Sequence, residues 1–135
     1  MSKTDVGKIW SLNYRLLMAV LNSVAPDITE LGLEAKELFL LAEVEAHPHP
    51  AELAVVLSMP KPTVTTYVKR LEAAGFVRRE IDSGDLRRHR LILTPEGRKT
   101  MARGLALLAK AFGARMTRLN QTQQSELATL LERLI

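Results

Sequence analysis

The sequence predicts a mainly helical fold interrupted by one small β-hairpin, on three observations. Apolar residues recur at three- and four-residue spacing through most of the chain. Aromatics make up only 4% of the residues, so Leu, Val, Ala and Ile must build the core, and Leu and Ala are good helix formers. Between Phe76 and Thr94 the pattern changes to two short β-prone runs around a Ser-Gly turn.

Taken in order, "KTDVGKIWSLNYRLLMAVLNSVAP" predicts a first helix. Val6, Ile9, Trp10, Leu16, Leu17, Val20, Leu21 and Val24 recur near helical spacing, and Pro26 is expected to stop it. "TELGLEAKELFLLAEVEAH" contains the second, closed by "HPHP" because residues before proline avoid the α region. "PAELAVVLSMP" reads as a short third helix, with Pro50 suited to a first turn. "KPTVTTYVKRLEAAG" reads as the fourth. Val64, Val68 and Leu71, with Tyr67, form its inward stripe, and Gly75 suits the C′ position. "FVRREI" and "RLILT" read as strands, with Ser83-Gly84 turning the chain between them. In "TPEG", Thr94 is the expected N-cap and Pro95 the first helical residue. That helix can run through "RKTMARGLALLAKAFGARMTRL", weakened at Gly104 and Gly113 by roughly 1 kcal/mol each relative to Ala. Thr122 is expected to cap a last helix with Leu127, Leu130, Leu131 and Leu134 on one face.

Bulk properties narrow the function. A chain of 135 residues fits one domain. Hydrophobic and charged contents of 47% and 25% are those of a soluble globular protein. No cysteine is present, which removes disulfide, thiolate and cysteine-based metal or redox chemistry. No apolar run is long enough to span a bilayer, and "MSKTDVGKIW" is unlike a signal peptide, so a cytoplasmic protein without membrane partners is expected. The net charge is +4, but it is unevenly spread. Pro60 to Arg103 holds eleven Lys/Arg against five Asp/Glu, whereas the rest of the chain is slightly acidic. A basic middle suits an anionic partner met by one part of the surface; a merely solvated basic face has the same composition.

Three helices followed by a hairpin describe a winged helix-turn-helix, whose second motif helix enters the DNA major groove. Here that helix runs from about Lys61 to Ala74. Its outward positions are Thr63, Thr65, Thr66, Lys69 and Arg70, with Lys61 and Pro62 at its start. Threonine is a poor choice for a merely solvated helix face, because its χ1 is crowded by the preceding turn. Its hydroxyl can instead bond bases or phosphates, and its methyl can meet a thymine methyl. In "DSGDLRRHR", arginines on a rigid ribbon suit a narrow minor groove. Asp85 stands two residues before Arg87, within reach to orient it, and Asp82 can pin the strand end. Arg88, His89 and Arg90 add cation density for phosphates.

These residues resemble the MarR-type regulators, winged-helix dimers of bacteria and archaea, over nearly the whole chain. "ELAVVLSMPKPTVTTYVKRLEAAGFVRRE" is similar to the family's helix-turn-helix, and "DSGDLRRHRLILTPEG" to its wing. Asp85-Leu86-Arg87 matches the wing's Asp-x-Arg signature. The resemblance implies minor-groove reading by Arg87 and an orienting role for Asp85. Leu86 departs from the second arginine of many members, which moves the expected phosphate contacts to Arg88 or Arg90. Pro60 and Pro62 replace frequent serines. The implied organisation is one domain over 1–135, with a DNA-binding lobe at about 30–97 and dimerisation helices at about 3–25 and 98–135. A homodimer also accounts for the broad apolar faces of the terminal helices. In many members a small aromatic or anionic effector binds between dimerisation helices and DNA-binding lobe. Trp10, Tyr14 and Arg15 are the nominated pocket residues.

The expected function is sequence-specific binding of a pseudo-palindromic double-stranded operator by a dimeric repressor. A protein-interaction adaptor without DNA binding is the alternative from another class. A metal-sensing regulator is a third reading, because Glu43, Glu45, His47 and His49 alternate by two; three histidines in total and no cysteine give it thin support, and neither metal nor cofactor is expected. No enzymatic activity is expected. Asp82 and Asp85 could pair as carboxylates, but their Arg and His neighbours favour the ionised form and spoil a general acid. Neither a phosphate loop nor a GxSxG or HExxH motif occurs.

Overall fold

The computed structural model describes residues 3–135, the Leu86 side chain excepted. Its elements are α1 (Val6–Glu30), α2 (Ala35–Glu43), α3 (Pro50–Val56), α4 (Lys61–Ala73), β1 (Val77–Asp82), β2 (Asp85–Leu93), α5 (Pro95–Met116) and α6 (Gln121–Leu134). Two compact units result. One joins residues up to Val24 with Leu108–Ile135; the other is Ala25–Leu107.

The second unit holds nearly all of the core. Leu38, Leu40 and Leu41 of α2, Leu53 of α3, Val64, Val68 and Leu71 of α4, and Leu91 of β2 are each at most 1–2% exposed. Burying each such side chain contributes about 1.5–3 kcal/mol, which fixes the inward face of α4 and hence its outward one. Turn chemistry sets the angles between elements. Between α3 and α4, Ser58 takes a left-handed φ of 51°, Ser58 N–H donates to Val55 O and Met59 N–H to Ala54 O. After α4, Gly75 sits at φ 81°, and Phe76 N–H reaches back to Leu71 O at 2.9 Å, the 6→1 bond of a Schellman turn. Thr94 then joins hairpin to helix. Its Oγ1 accepts from Gly97 N–H at 3.0 Å, capping α5 as the sequence predicts, and donates to Gly75 O at 2.6 Å.

β1 and β2 pair antiparallel, from Val77↔Leu93 to Asp82↔Asp85, with an irregularity between Ile81 and Asp82. The strands are longer than "FVRREI" and "RLILT" suggest. β2 begins at Asp85, so the charged residues Arg87 to Arg90 lie on a strand and only Ser83-Gly84 turn. The β-ladder satisfies backbone groups that a charged loop would leave to water.

In the first unit, α6 has no buried residue, and Val6, Ile9, Trp10, Leu12, Tyr14 and Leu17 of α1 stay more than half exposed. Two expectations are corrected. Pro26 does not end α1, which continues to Glu30. Val20, Val24 and Ile28 follow one another at four-residue spacing and are all buried, while Ala25, Pro26 and Asp27 are exposed. Burial of that stripe outweighs the roughly 3 kcal/mol that an interior proline costs. The cap of α6 is Asn120, not Thr122. Asn120 Oδ1 accepts from Gln123 N–H at 2.8 Å, and Gln123 Oε1 accepts from Asn120 N–H at 3.0 Å. Such a reciprocal box satisfies two orphan donors, more than a lone threonine can.

Candidate nucleic-acid interface

α4 presents the face expected of it. Lys61, Pro62, Thr65, Thr66, Lys69 and Arg70 are exposed, while Thr63 is half-buried. Thr65 Oγ1 donates to Lys61 O and Thr66 Oγ1 to Pro62 O, each at 3.0 Å. The hydroxyl protons are therefore committed inside the helix, and what faces outward is acceptor lone pairs and methyls. That geometry fits an exocyclic amine or a thymine methyl and does not fit a phosphate, which offers no proton. Arg70 is already held: its Nη1 reaches Glu34 Oε1 at 3.4 Å, and its guanidinium carbon lies 5.6 Å from the centre of the Tyr67 ring. Lys69 enters no ion pair among the described residues.

The hairpin carries the second group. From His89 to Leu93 β2 pairs in regular register, which puts His89 on the face of buried Leu91 and Leu93 and Arg90 on the other; Leu86 to Arg88 lie in the irregular stretch between the Ile81↔His89 and Asp82↔Asp85 pairs. All four cationic or potentially cationic residues are exposed. Arg88 is tied to Glu52 Oε1 of α3 at 3.5 Å, whereas Arg87 and Arg90 make no ion pair among the described residues. Asp85 Oδ1 accepts from the Arg87 main-chain N–H at 3.0 Å. Its contact with Arg87 is thus to the backbone, holding the strand start rather than gripping the guanidinium. Asp82 Oδ1 accepts from Gly84 N–H at 2.8 Å and fixes the turn. That hydrogen bond, with the charges of His49, Arg88 and Arg90, lowers the Asp82 carboxyl below its ordinary value, so it is an anion and not an acid at neutral pH. The question of what Leu86 does in place of an arginine falls on a side chain outside those described.

Trp10 and Tyr14 lie one turn apart on α1 with ring centroids 6.4 Å apart and are both more than half exposed, and the neighbouring Arg15 is exposed too. Among the described residues, no group of three or more His, Asp or Glu is placed to hold a metal ion. His47 instead faces Glu52 at 3.4 Å, and His49 turns to the hairpin. Sequence reasoning did not find His49, Glu34 and Glu52 as partners of the interface. The signal for His49 was "HPHP", in which prolines hold the residues before them extended. No single helix is long and apolar enough to cross a membrane.

A helix-turn-helix with an outward threonine face, followed by an arginine-bearing hairpin, defines a winged helix-turn-helix DNA-binding protein. The family model described as MarR family matches residues 31–88, so this part of the chain is similar to the MarR family of transcription regulators. It is similar to the HTH-type transcriptional repressor Rv2887 of Mycobacterium tuberculosis, 29% identical over 136 residues, which cover 99% of this chain and 98% of that one. The crystal structure of Rv2887 with salicylic acid superposes with a TM-score of 0.76 at 29% identity, over 99% of this chain and 98% of that one. The repressor CouR, solved bound to a 23-mer DNA duplex, shares the fold at a TM-score of 0.77 and 24% identity, over 98% of this chain and 99% of that one.

Proposed function

We propose that the protein is a homodimeric repressor that holds a pseudo-palindromic operator with α4 in the major groove and the wing in the minor groove. The observation that carries this reading is the division of the basic surface. Glu34, Glu52 and Glu72 occupy Arg70, Arg88 and Arg79, while Lys69, Arg87 and Arg90 are left to face outward. Thr63, Thr65 and Thr66 supply sequence preference and Arg87 senses groove width. Lys61, Pro62 and Lys69 stand at the backbone, with His89 and Arg90 adding phosphate contacts and Arg88 joining them by exchanging Glu52 for a phosphate. The DNA-binding lobe covers about residues 30–97, and the helices at about 3–25 and 98–135 join two chains. Two-fold symmetry spaces the half-site centres by about one helical turn, roughly 10 bp.

Control follows from a population shift: a ligand that prefers a lobe spacing unfit for DNA lowers operator affinity. The salicylic acid complex of Rv2887 supports a small aromatic anion as the effector class. Trp10 and Tyr14 offer it stacking faces and Arg15 a counter-charge.

The test is selection of a duplex from a random-sequence pool by the purified protein, followed by titration at two salt concentrations. Arg87→Ala is expected to weaken the selected duplex and to lower the salt slope by about 1. Unchanged affinity at both salts would remove Arg87 from the interface. Salicylate is expected to raise the melting midpoint of the wild type and not of Trp10→Ala.

A further inference from the structure

The segment between α2 and α3 touches the wing at three points. Leu91 N–H, on the outer edge of β2, donates to Pro48 O at 2.7 Å. Two residues earlier on that edge, His89 O lies 3.3 Å from His49 Nδ1. The other ring nitrogen, His49 Nε2, lies 3.2 Å from Asp82 Oδ2 at the end of β1. The His49 and Asp82 side chains are only 15% and 22% exposed, so solvent screens this pair less than the open pairs around it. His49 is itself extended, at φ −104° and ψ 131°, as a residue before proline must be.

We propose that His49 is a positioning residue for the wing. Its ring ties the α2–α3 segment to both strands of the hairpin, and so sets the pose from which Arg87 reaches DNA. The inference rests on the wing reading given above.

The chemistry of the ring makes the tie testable. A carbonyl oxygen and a carboxylate only accept, so both contacts need a proton on the nitrogen that faces them. A neutral imidazole carries one such proton and serves one partner; the imidazolium serves both. Asp82 must be ionised at the same time. The charged groups around the pair are Arg88 and Arg90 on β2 and, on α3, Glu52, which is shared by Arg88 and His47. Asp82's carboxyl is lowered, so its part of the tie is present through neutral pH and lost only as pH falls through that lowered value.

Amide hydrogen exchange of the full-length protein reads the tie directly, without DNA, at the Leu91 amide that bonds Pro48. At one pH near neutral and after correction for intrinsic exchange, Leu91 protection is expected to be about fivefold lower in His49→Gln and in Asp82→Asn than in the wild type; the latter keeps an oxygen for Gly84 N–H. Wild-type protection in both variants would overturn the proposal. Affinity for the duplex selected by the wild type is the second readout, and it is expected to fall in His49→Gln about as much as protection does. Arg87→Ala is titrated alongside. If it leaves affinity unchanged while Leu91 protection behaves as expected, the wing reading fails and the tie stands. If Arg87→Ala weakens binding but His49→Gln does not, the positioning role fails.

Discussion

A threonine hydroxyl has one proton, and in α4 two of those protons are already used. Thr65 and Thr66 both bond the carbonyl four residues back, which leaves an acceptor and a methyl on the DNA side. Thr65→Val or Thr66→Val keeps a methyl, barely alters helix propensity and deletes the acceptor. Either change is expected to weaken the selected duplex by roughly 1 kcal/mol where the acceptor meets an amine, with the salt slope unchanged. Titration at two salts measures both quantities; unchanged affinity in both variants would mean that neither acceptor meets a base. Gly97 is a residue-scale constraint of another kind. A Cβ there would land on the Phe76 carbonyl, a main-chain atom with nowhere to go, so Gly97→Ala is expected to cost about 1–3 kcal/mol in urea unfolding. At Gly104 the obstacle is the Leu38 side chain, 2.6 Å from the added carbon, which can turn aside more easily.

At the scale of elements, the helices whose faces are buried were the legible ones. Val64, Val68 and Leu71 mark α4 because only an inward stripe needs that spacing, and all three are buried. Gly75 and Thr94 announced their turns because few residues suit a left-handed C′ position or an N-cap. Three features followed from competition that local rules do not see. α1 passes through Pro26 because burial on one side outweighs a missing hydrogen bond on the other. α6 starts two residues early because Asn120 and Gln123 cap reciprocally. β2 reaches back to Asp85 because His89 pairs with Ile81 and Asp85 with Asp82 on either side of an irregular stretch. In the interface, the outward residues of α4 were legible from the inward ones, but their occupancy was not. That Glu34 holds Arg70 across 36 positions, and that His49 meets Asp82, are tertiary facts. The Asn120 box makes its own prediction. Asn120→Ala leaves the Gln123 N–H at the start of α6 without its acceptor, and is expected to lower stability by about 1 kcal/mol, read as an earlier midpoint in urea.

At the scale of the whole molecule, the distribution of apolar surface decides whether a single chain is the folded unit. Residues 25–107 bury their own leucines and valines, as an independent core does. The terminal helices do not. Trp10, Tyr14 and Leu17 on α1, and Leu130, Leu131 and Leu134 on α6, remain 43–83% exposed. Apolar surface of that extent is a liability in water unless a second copy covers it. A symmetric dimer would cover it with the same helices of its partner and would place two copies of α4 for two half-sites. If folding and pairing are coupled, stability depends on concentration. Each tenfold dilution is then expected to remove about 1.4 kcal/mol of apparent stability per dimer, and the melting midpoint to fall with it. Leu131→Asp and Leu134→Asp together are expected to shift sedimentation toward the monomer and to weaken DNA binding, because a lone half-site contact forfeits the effective concentration that links the second lobe. Midpoints that do not move over a hundredfold dilution, with a sedimenting mass of one chain, would instead mean that the helices cover each other within a single protomer.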